Sequence, residues 1–84
     1  MDNKVLVKLV VPELDDEYDV YLPVNKRIGN ILVLLNKGLN EITKGKYPIM
    51  ESLLLYNNSG GCYNINTLLI NTDIRNGSVL YLVS

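Results

Sequence analysis

A single segment of this chain has the periodicity of a helix, and the segments on both sides of it have the character of β-strands. Its aliphatic side chains recur at spacings of three and four residues, which places them on one face of a helix. These residues are Ile28, Ile31, Leu32, Leu35, Leu39 and Ile42. One amphipathic helix covers one face of one sheet, so the sequence predicts a single two-layer α+β domain over residues 1–84.

Both ends of this helix carry sequence signals. Asn25 is a favoured N-cap residue, because its side chain accepts a hydrogen bond from the first turn. Lys44, Gly45 and Lys46 are typical of a C-terminus, where cations suit the helix dipole and glycine suits a left-handed position. The polar residues of the segment are expected to face away from the sheet: Asn30, Asn36, Lys37, Asn40 and Glu41.

Four segments are predicted to form strands, because they are rich in β-branched and aliphatic residues or alternate between apolar and polar ones. They are residues 4–11, 17–23, 52–56 and 78–83. A turn at residues 12–16 joins the first two strands as a hairpin. Residues 62–65 are compatible with a short edge strand, and residues 67–69 with one helical turn.

The first and last strands have the densest apolar content, so we expect them side by side in the middle of the sheet. The chain between them contains the helix and is long enough for a right-handed parallel crossover. A hairpin, a crossover helix and parallel terminal strands define the β-grasp arrangement. With residues 62–65 counted as the fourth strand, the predicted order is 2-1-5-3 in a mixed sheet of four to five strands, with the fourth at an edge.

The chain has no histidine and one cysteine, which restricts its chemistry. Ser–His–Asp and Cys–His catalysis, His-based zinc sites and an imidazole pH switch are all excluded. Cys62 has no second cysteine for a disulfide and no basic neighbour in sequence to activate it. The carboxylates between residues 13 and 19 lack the spacing of a calcium loop. The sequence therefore predicts no enzyme activity, no cofactor and no metal site.

Charge is distributed unevenly, although the formal net charge is only −1. Acidic residues dominate the first 25 positions, and basic ones dominate residues 26–46 through Lys26, Arg27, Lys37, Lys44 and Lys46. This asymmetry fits either a solvated dipolar surface or a charge-steered protein interface. The overall balance argues against a protein built to hold a phosphate backbone, so nucleic acid is not an expected partner.

The N-terminal residues contain no apolar stretch behind a basic segment, so no signal peptide is predicted. The longest apolar runs are a few residues, far short of the roughly 20 that a membrane helix needs. We therefore expect a cytoplasmic protein without direct membrane insertion.

Three blocks of the chain resemble ubiquitin-like proteins. The first is the hairpin, the second is the helix after Asn25, and the third runs from Thr67 to Leu82. The third block is the most specific, because a short helical turn is followed by the pattern Ile-x-x-Gly-x-x-Leu-x-Leu that begins at Ile74. Together they span most of the chain.

Within that fold, the chain resembles the small YukD/EsaB proteins, which are encoded with type VII (WXG100/ESAT-6-type) secretion systems of Gram-positive bacteria. The resemblance implies a non-conjugating accessory or regulatory protein whose partners are components of the secretion machinery. Conjugation and sulfur carriage need a C-terminal diglycine, whereas this sequence ends in Leu-Val-Ser. Gly60 and Gly61 lie inside the chain, where a loop that needs positive φ explains them.

Alternation along the strands leaves one face of the sheet without a covering element. Seven residues are expected there as a protein-binding face: Leu6, Lys8, Tyr21, Leu54, Tyr56, Tyr81 and Val83. The predicted strand order would bring the apolar ones into one row. Such a face is typical of a partner site, although cross-strand pairing that stabilises the sheet also explains it. A homodimer through this face, and a small β-grasp carrier or adaptor unrelated to secretion, remain alternatives.

Overall fold

The computed structural model describes residues 3–84 and has the predicted α+β architecture. Its elements are strand β1 (Lys4–Val11), strand β2 (Asp16–Pro23), helix α1 (Ile28–Ile42), strand β3 (Leu54–Tyr56) and strand β4 (Val79–Val83). Single 3₁₀ turns occur at Pro12–Leu14 and Leu69–Asn71. The sheet order is β2-β1-β4-β3, with a parallel central pair and antiparallel outer pairs. The β-grasp prediction is confirmed; the last strand, numbered 5 in the predicted order 2-1-5-3, is the fourth strand along the chain and lies between β1 and β3.

The core lies between α1 and one face of the sheet. The helix contributes its aliphatic stripe, and the strands contribute alternate residues, so the two layers bury mainly leucine, isoleucine and valine. Each fully buried side chain of this size stabilises the fold by about 1.5–3 kcal/mol. Ile42 was expected in the stripe but is exposed, because it lies in the last turn, where the layer opens into a groove beside β2. No helix within residues 3–84 is long and apolar enough to cross a membrane.

The predicted N-cap at Asn25 is wrong. Arg27 occupies the cap position, and no side chain caps the helix. The first amides are satisfied by backbone instead, since the N–H groups of Ile28 and Gly29 donate to the carbonyl oxygens of Thr67 and Ile65 at 2.9 Å. The helix N-terminus is therefore capped by backbone carbonyl groups from a segment distant in sequence, and not by the local side chain of Asn25.

Two asparagines predicted to face solvent are structural. Asn36 is 3% exposed, and its amide donates to the carbonyl of Pro48 at 2.9 Å while its oxygen accepts from the N–H of Met50 at 2.7 Å. Asn40 donates to the carbonyl of Tyr47 at 2.9 Å. These bonds hold the irregular segment between α1 and β3 against the helix, where its backbone groups would otherwise lack partners.

The smaller elements differ from the prediction in extent. Residues 62–65 do not form a strand; a single bridge joins Cys62 to Tyr56, and the N–H of Tyr63 donates to the carbonyl of Leu55 at 2.9 Å. The strand predicted over residues 52–56 begins at Leu54. The turn predicted at residues 67–69 is shifted to Leu69–Asn71.

Candidate functional site

The uncovered face of the sheet is defined by alternation along its strands. In β1, Val7, Leu9 and Val11 are buried under α1, so the residues between them point to the opposite side. In β4, Leu80 and Leu82 are buried in the same way. The opposite side, which we call the outer face, holds all seven residues predicted for it: Leu6, Lys8, Tyr21, Leu54, Tyr56, Tyr81 and Val83.

Exposure on the outer face is high for apolar side chains. Tyr21 is 64% exposed, and Leu6 and Leu54 are 38% and 39% exposed. The remaining apolar members are half-buried among their neighbours in the sheet. Among these residues tyrosine is the type that is enriched at the centres of protein interfaces.

The strand register divides this face into two patches, so the predicted single row is wrong. Leu6 lies opposite Tyr21, at the end where β4 has not yet begun. Tyr81 lies beside Val10 and opposite Tyr56, because the parallel pairing of β1 and β4 starts at Lys8 with Val79. Leu6 and Val10 are four residues apart, which is about 13 Å along a strand.

We call Leu6 and Tyr21 the Tyr21 patch. The Tyr81 patch consists of Val10, Leu54, Tyr56, Tyr81 and Val83. Val10 was missed by the sequence analysis, although counting by two from Leu6 along the same strand would have found it.

A polar band separates the two patches. Lys8 lies between Asp19 and Val79 in the register, and its ammonium group pairs with the Glu17 carboxylate at 3.3 Å. Both side chains are about half-exposed, so this ion pair contributes less than about 1 kcal/mol. The charged side chains therefore separate the two apolar patches, and their ion pair adds little to the stability of the fold.

The Tyr21 patch borders a shallow depression of about 470 Å³. Its floor is fixed by the turn before β4: the Asn76 side-chain oxygen accepts from the N–H of Leu6, and the N–H of Gly77 donates to the Leu6 carbonyl, both at 2.8 Å. Lys4 and Lys8 lie at its rim. Asp19 also lines the depression, so this end of the outer face combines apolar surface with charges of both signs.

The Tyr81 patch is bounded by the loop that contains the internal diglycine. The Tyr81 hydroxyl donates to the Asn58 side-chain oxygen at 3.1 Å. Asn57 organises the loop, since its side-chain oxygen accepts from the N–H groups of Ser59 and Gly61 at 2.9 and 2.8 Å. Gly60 has φ +87°, which favours glycine. The diglycine is thus part of an ordered loop, as predicted.

The titratable groups near this face have structural roles. The Tyr63 hydroxyl donates to the Asp73 carboxylate at 2.6 Å. Burial is the larger cause and this hydrogen bond the smaller cause of the raised pKa of the Tyr63 phenol. Cys62 is exposed, and its sulphur lies 3.7 Å from the Tyr63 carbonyl oxygen. Among residues 3–84, no group of three or more acidic or cysteine side chains is placed to hold a metal ion.

No protein-family model and no curated protein matches the sequence. Solved structures do. The ubiquitin-like domain of the type VII secretion protein EccD1 from Mycobacterium tuberculosis is 14% identical, with a TM-score of 0.76 over 96% of this chain and 98% of that domain. The EccD5 ubiquitin-like domain from Mycobacterium xenopi is 18% identical, with a TM-score of 0.69 over 95% and 92%.

A chain of the ESX-5 inner membrane complex is 20% identical, with a TM-score of 0.69; the match covers 96% of this chain and 21% of that one. The protein thus spans about a fifth of that larger chain. Similarity at these identities is similarity of fold. The chain has the ubiquitin-like β-grasp fold, which proteins of type VII secretion systems also contain as a domain.

Proposed function

We propose that this protein is a non-conjugating ubiquitin-like binding module that acts in the cytosol as an accessory or regulatory component of a type VII secretion system of the Gram-positive YukD/EsaB kind. The exposed tyrosine and leucine surface of the outer face carries the proposal. The similarity of fold to the EccD1 and EccD5 domains supports the link to secretion. Its partners are then other proteins of the secretion machinery.

The Tyr81 patch is the stronger half of the proposed interface. Tyr56 and Tyr81 face each other across β3 and β4, and Leu54 faces Val83 one step along. The tyrosines offer large apolar rings with hydroxyl groups at the rim, and β-sheet hydrogen bonds hold their backbones rigid, so ordering them on binding costs little entropy. An anchor of this kind is worth about 2 kcal/mol or more in a protein interface.

Cross-strand stabilisation is the competing explanation for these side chains. Aromatic and β-branched pairs on a sheet contribute about 0.2–1 kcal/mol each without any partner. The two explanations separate experimentally, because a side chain that serves only the sheet changes stability when it is replaced, whereas an interface residue changes affinity in a protein that remains folded.

The test is co-purification of this protein with the secretion ATPase and the WXG100 proteins of a type VII secretion system. We compare wild type with Leu54→Asp and Tyr21→Asp, two substitutions at partly exposed positions. The control is Ile70→Asp, which is 52% exposed in the turn at Leu69–Asn71 and lies off the sheet. Folding of every variant is verified by circular dichroism.

Loss of the partner with Leu54→Asp but not with Ile70→Asp supports the proposal. Retention of the partner by both folded outer-face variants contradicts the assignment of the face. Absence of any type VII component among the bound proteins contradicts the link to secretion and favours the carrier or adaptor alternative. Light scattering over a concentration series tests the homodimer.

A further inference from the structure

The turn that leads into β4 contains the one asparagine–glycine pair of the sequence, Asn76 and Gly77. Both residues are exposed, and Gly77 has φ +90°, a left-handed value that favours glycine. An asparagine before glycine is chemically the least stable kind of asparagine, because the next residue has no side chain to hinder attack by its backbone nitrogen. The pair is therefore a candidate site of covalent change.

Leu6 holds both reacting groups of this pair. Its N–H donates to the side-chain oxygen of Asn76, and its carbonyl oxygen accepts from the N–H of Gly77, both at 2.8 Å. We call these two hydrogen bonds the Leu6 clamp. They lie along the part of β1 that β4 does not reach, since pairing between the two strands starts at Lys8. The clamp thus fixes a reactive pair against a central strand of the sheet.

The reaction open to such a pair is deamidation. The backbone nitrogen of Gly77 attacks the side-chain carbonyl carbon of Asn76, and the new carbon–nitrogen bond closes a five-membered succinimide ring. The side-chain nitrogen leaves as ammonia and carries away the proton of the attacking nitrogen. Water then adds to either ring carbonyl and breaks its bond to nitrogen, which gives aspartate or isoaspartate. Solvent water is the only co-reactant.

The Leu6 clamp opposes this reaction in the folded protein. The Gly77 nitrogen must lose its proton in order to attack, and that N–H is bonded to the Leu6 carbonyl. The Asn76 side chain must turn its carbonyl carbon towards the same nitrogen, and its oxygen is held by the Leu6 N–H. Ser78 also supports the turn, because its hydroxyl oxygen accepts from the N–H of Arg75 at 2.8 Å. Reaction therefore requires local opening of the turn.

We propose that Asn76 is a site of spontaneous deamidation that reacts when the Leu6 clamp opens, so that its product marks molecules in which this turn has opened. The mark lies beside the Tyr21 patch, because Asn76 lines the depression there together with Lys4 and Lys8. Conversion to aspartate adds a negative charge near those lysines. The inference does not rest on the proposed function, since it concerns the chemistry of this turn alone.

The two products differ in how they fit the turn. An aspartate side chain still accepts from the Leu6 N–H, and as a charged acceptor it forms the stronger hydrogen bond. Isoaspartate routes the main chain through the side-chain carbon and so lengthens the backbone by a CH₂ group. The Gly77 N–H then no longer lies opposite the Leu6 carbonyl, and β4 starts out of register with β1. The fold therefore accommodates aspartate and not isoaspartate.

The test follows deamidation of the full chain in water enriched in heavy oxygen, which labels each newly hydrolysed succinimide. Wild type is incubated in native buffer and in denaturing urea, and peptide mapping by mass spectrometry assigns the label to individual asparagines. Ser78→Ala removes the hydroxyl that supports the turn and leaves the asparagine–glycine pair intact. Ser59→Ala, in the loop that contains the diglycine, is the matched control. Amide hydrogen exchange at Gly77 measures opening of the clamp.

We expect Asn76 to be labelled before any other asparagine in urea. In native buffer the same site should react about tenfold or more slowly, because only molecules with an open clamp react. Ser78→Ala should raise the rate in native buffer and accelerate exchange at Gly77 without changing the rate in urea, whereas Ser59→Ala should match wild type. Asn76→Asp should unfold at the same urea concentration as wild type or a higher one, and the isoaspartate form at a lower one.

Equal rates at Asn76 in native buffer and in urea would overturn the inference, because the clamp would then protect nothing. So would a Ser78→Ala variant that reacts as slowly as wild type in native buffer although exchange at Gly77 has accelerated. Label that appears first at Asn58 would move the reactive site to the loop that contains the diglycine. Absence of label from Asn76 in both conditions would also overturn it.

Discussion

The two faces of the sheet are built from similar residues, yet one is the core and the other is a surface. Both carry leucine and valine at alternate positions of the same strands, as Leu9 and Leu6 show in β1. What separates them is α1, which covers one face and leaves the other open. A residue on the covered face is therefore fixed by packing, whereas the same residue on the outer face is free to serve a partner.

Leucine-to-alanine substitutions on the two sides of β1 give the largest contrast. Leu9→Ala should cost about 2–5 kcal/mol of unfolding free energy, because Leu9 is fully buried and its truncation leaves a cavity. Leu6→Ala should cost about 1 kcal/mol, since solvent already reaches this side chain. Urea denaturation measures both. Equal losses would show that the outer face is as tightly packed as the core.

The buried asparagine on the covered side gives the next largest effect. Asn36→Ala should destabilise the protein by about 1–3 kcal/mol, because it leaves the N–H of Met50 without its side-chain acceptor. Asn30→Ala, at an exposed position of the same helix, should change stability by less than about 0.5 kcal/mol. Hydrogen exchange at Met50 should accelerate only in the first variant. An unchanged Met50 amide would show that the anchor is dispensable.

Two tyrosines, of which only one has a hydrogen-bond partner for its hydroxyl group within residues 3–84, sharpen the comparison further. Tyr63→Phe should cost about 1–2 kcal/mol by removing its bond to Asp73. Tyr47→Phe should be neutral or stabilising, because the Tyr47 hydroxyl is buried and no group within residues 3–84 bonds it. Thermal unfolding compares the two. A larger loss for Tyr47→Phe would contradict the assignment of its hydroxyl.

The raised pKa of Tyr63 predicts how the stability of the fold changes at alkaline pH. Folding raises the pKa of Tyr63 above its unfolded value near 10. Its contribution to stability is therefore complete below pH 10 and is lost as the pH rises from there toward the folded pKa. Tyr63→Phe should have a flatter stability profile above pH 10 than the wild type. Parallel profiles would contradict this.

The ion pair on the outer face should give the smallest effect. Glu17→Gln removes the pair with Lys8 and should change stability by less than about 1 kcal/mol at low salt, and by less still at high salt, because both side chains are well solvated. Asp19→Gln, at the neighbouring carboxylate that the structure does not pair with Lys8, is the control. A salt-insensitive loss above that value would mean that the band between the patches is a structural element.

Local sequence patterns predicted the secondary-structure elements well where a single periodicity governs the segment. The helical stripe located α1, and alternation assigned the sheet residues to their faces. The failures came where a distant backbone competed with a local signal. Asn25 matches the N-cap preference, but the carbonyl oxygen of Thr67 accepts the hydrogen bond from the first N–H of the helix instead. Asn36 is polar, yet an irregular segment needs its amide.

For the outer face, too, one part could be predicted from the sequence and another could not. Which residues lie on the outer face follows from a period of two and needs only the sequence. Which of them meet does not, because neighbours in the sheet depend on the parallel register between β1 and β4, and that register is set by the turn at Asn76 and Gly77 against Leu6. Since no local pattern encodes that pairing, the single expected row became two patches.

The sequence by itself thus determined the two-layer β-grasp fold, the covered stripe of the helix and the membership of the outer face, since each depends on residue type and period along one element. Tertiary structure alone decided how the helix is capped, what Asn36 holds and how the outer face divides. It also opened the groove between β2 and the last turn of α1. These features arise from contacts between elements distant in sequence, where geometry and not composition selects the partner.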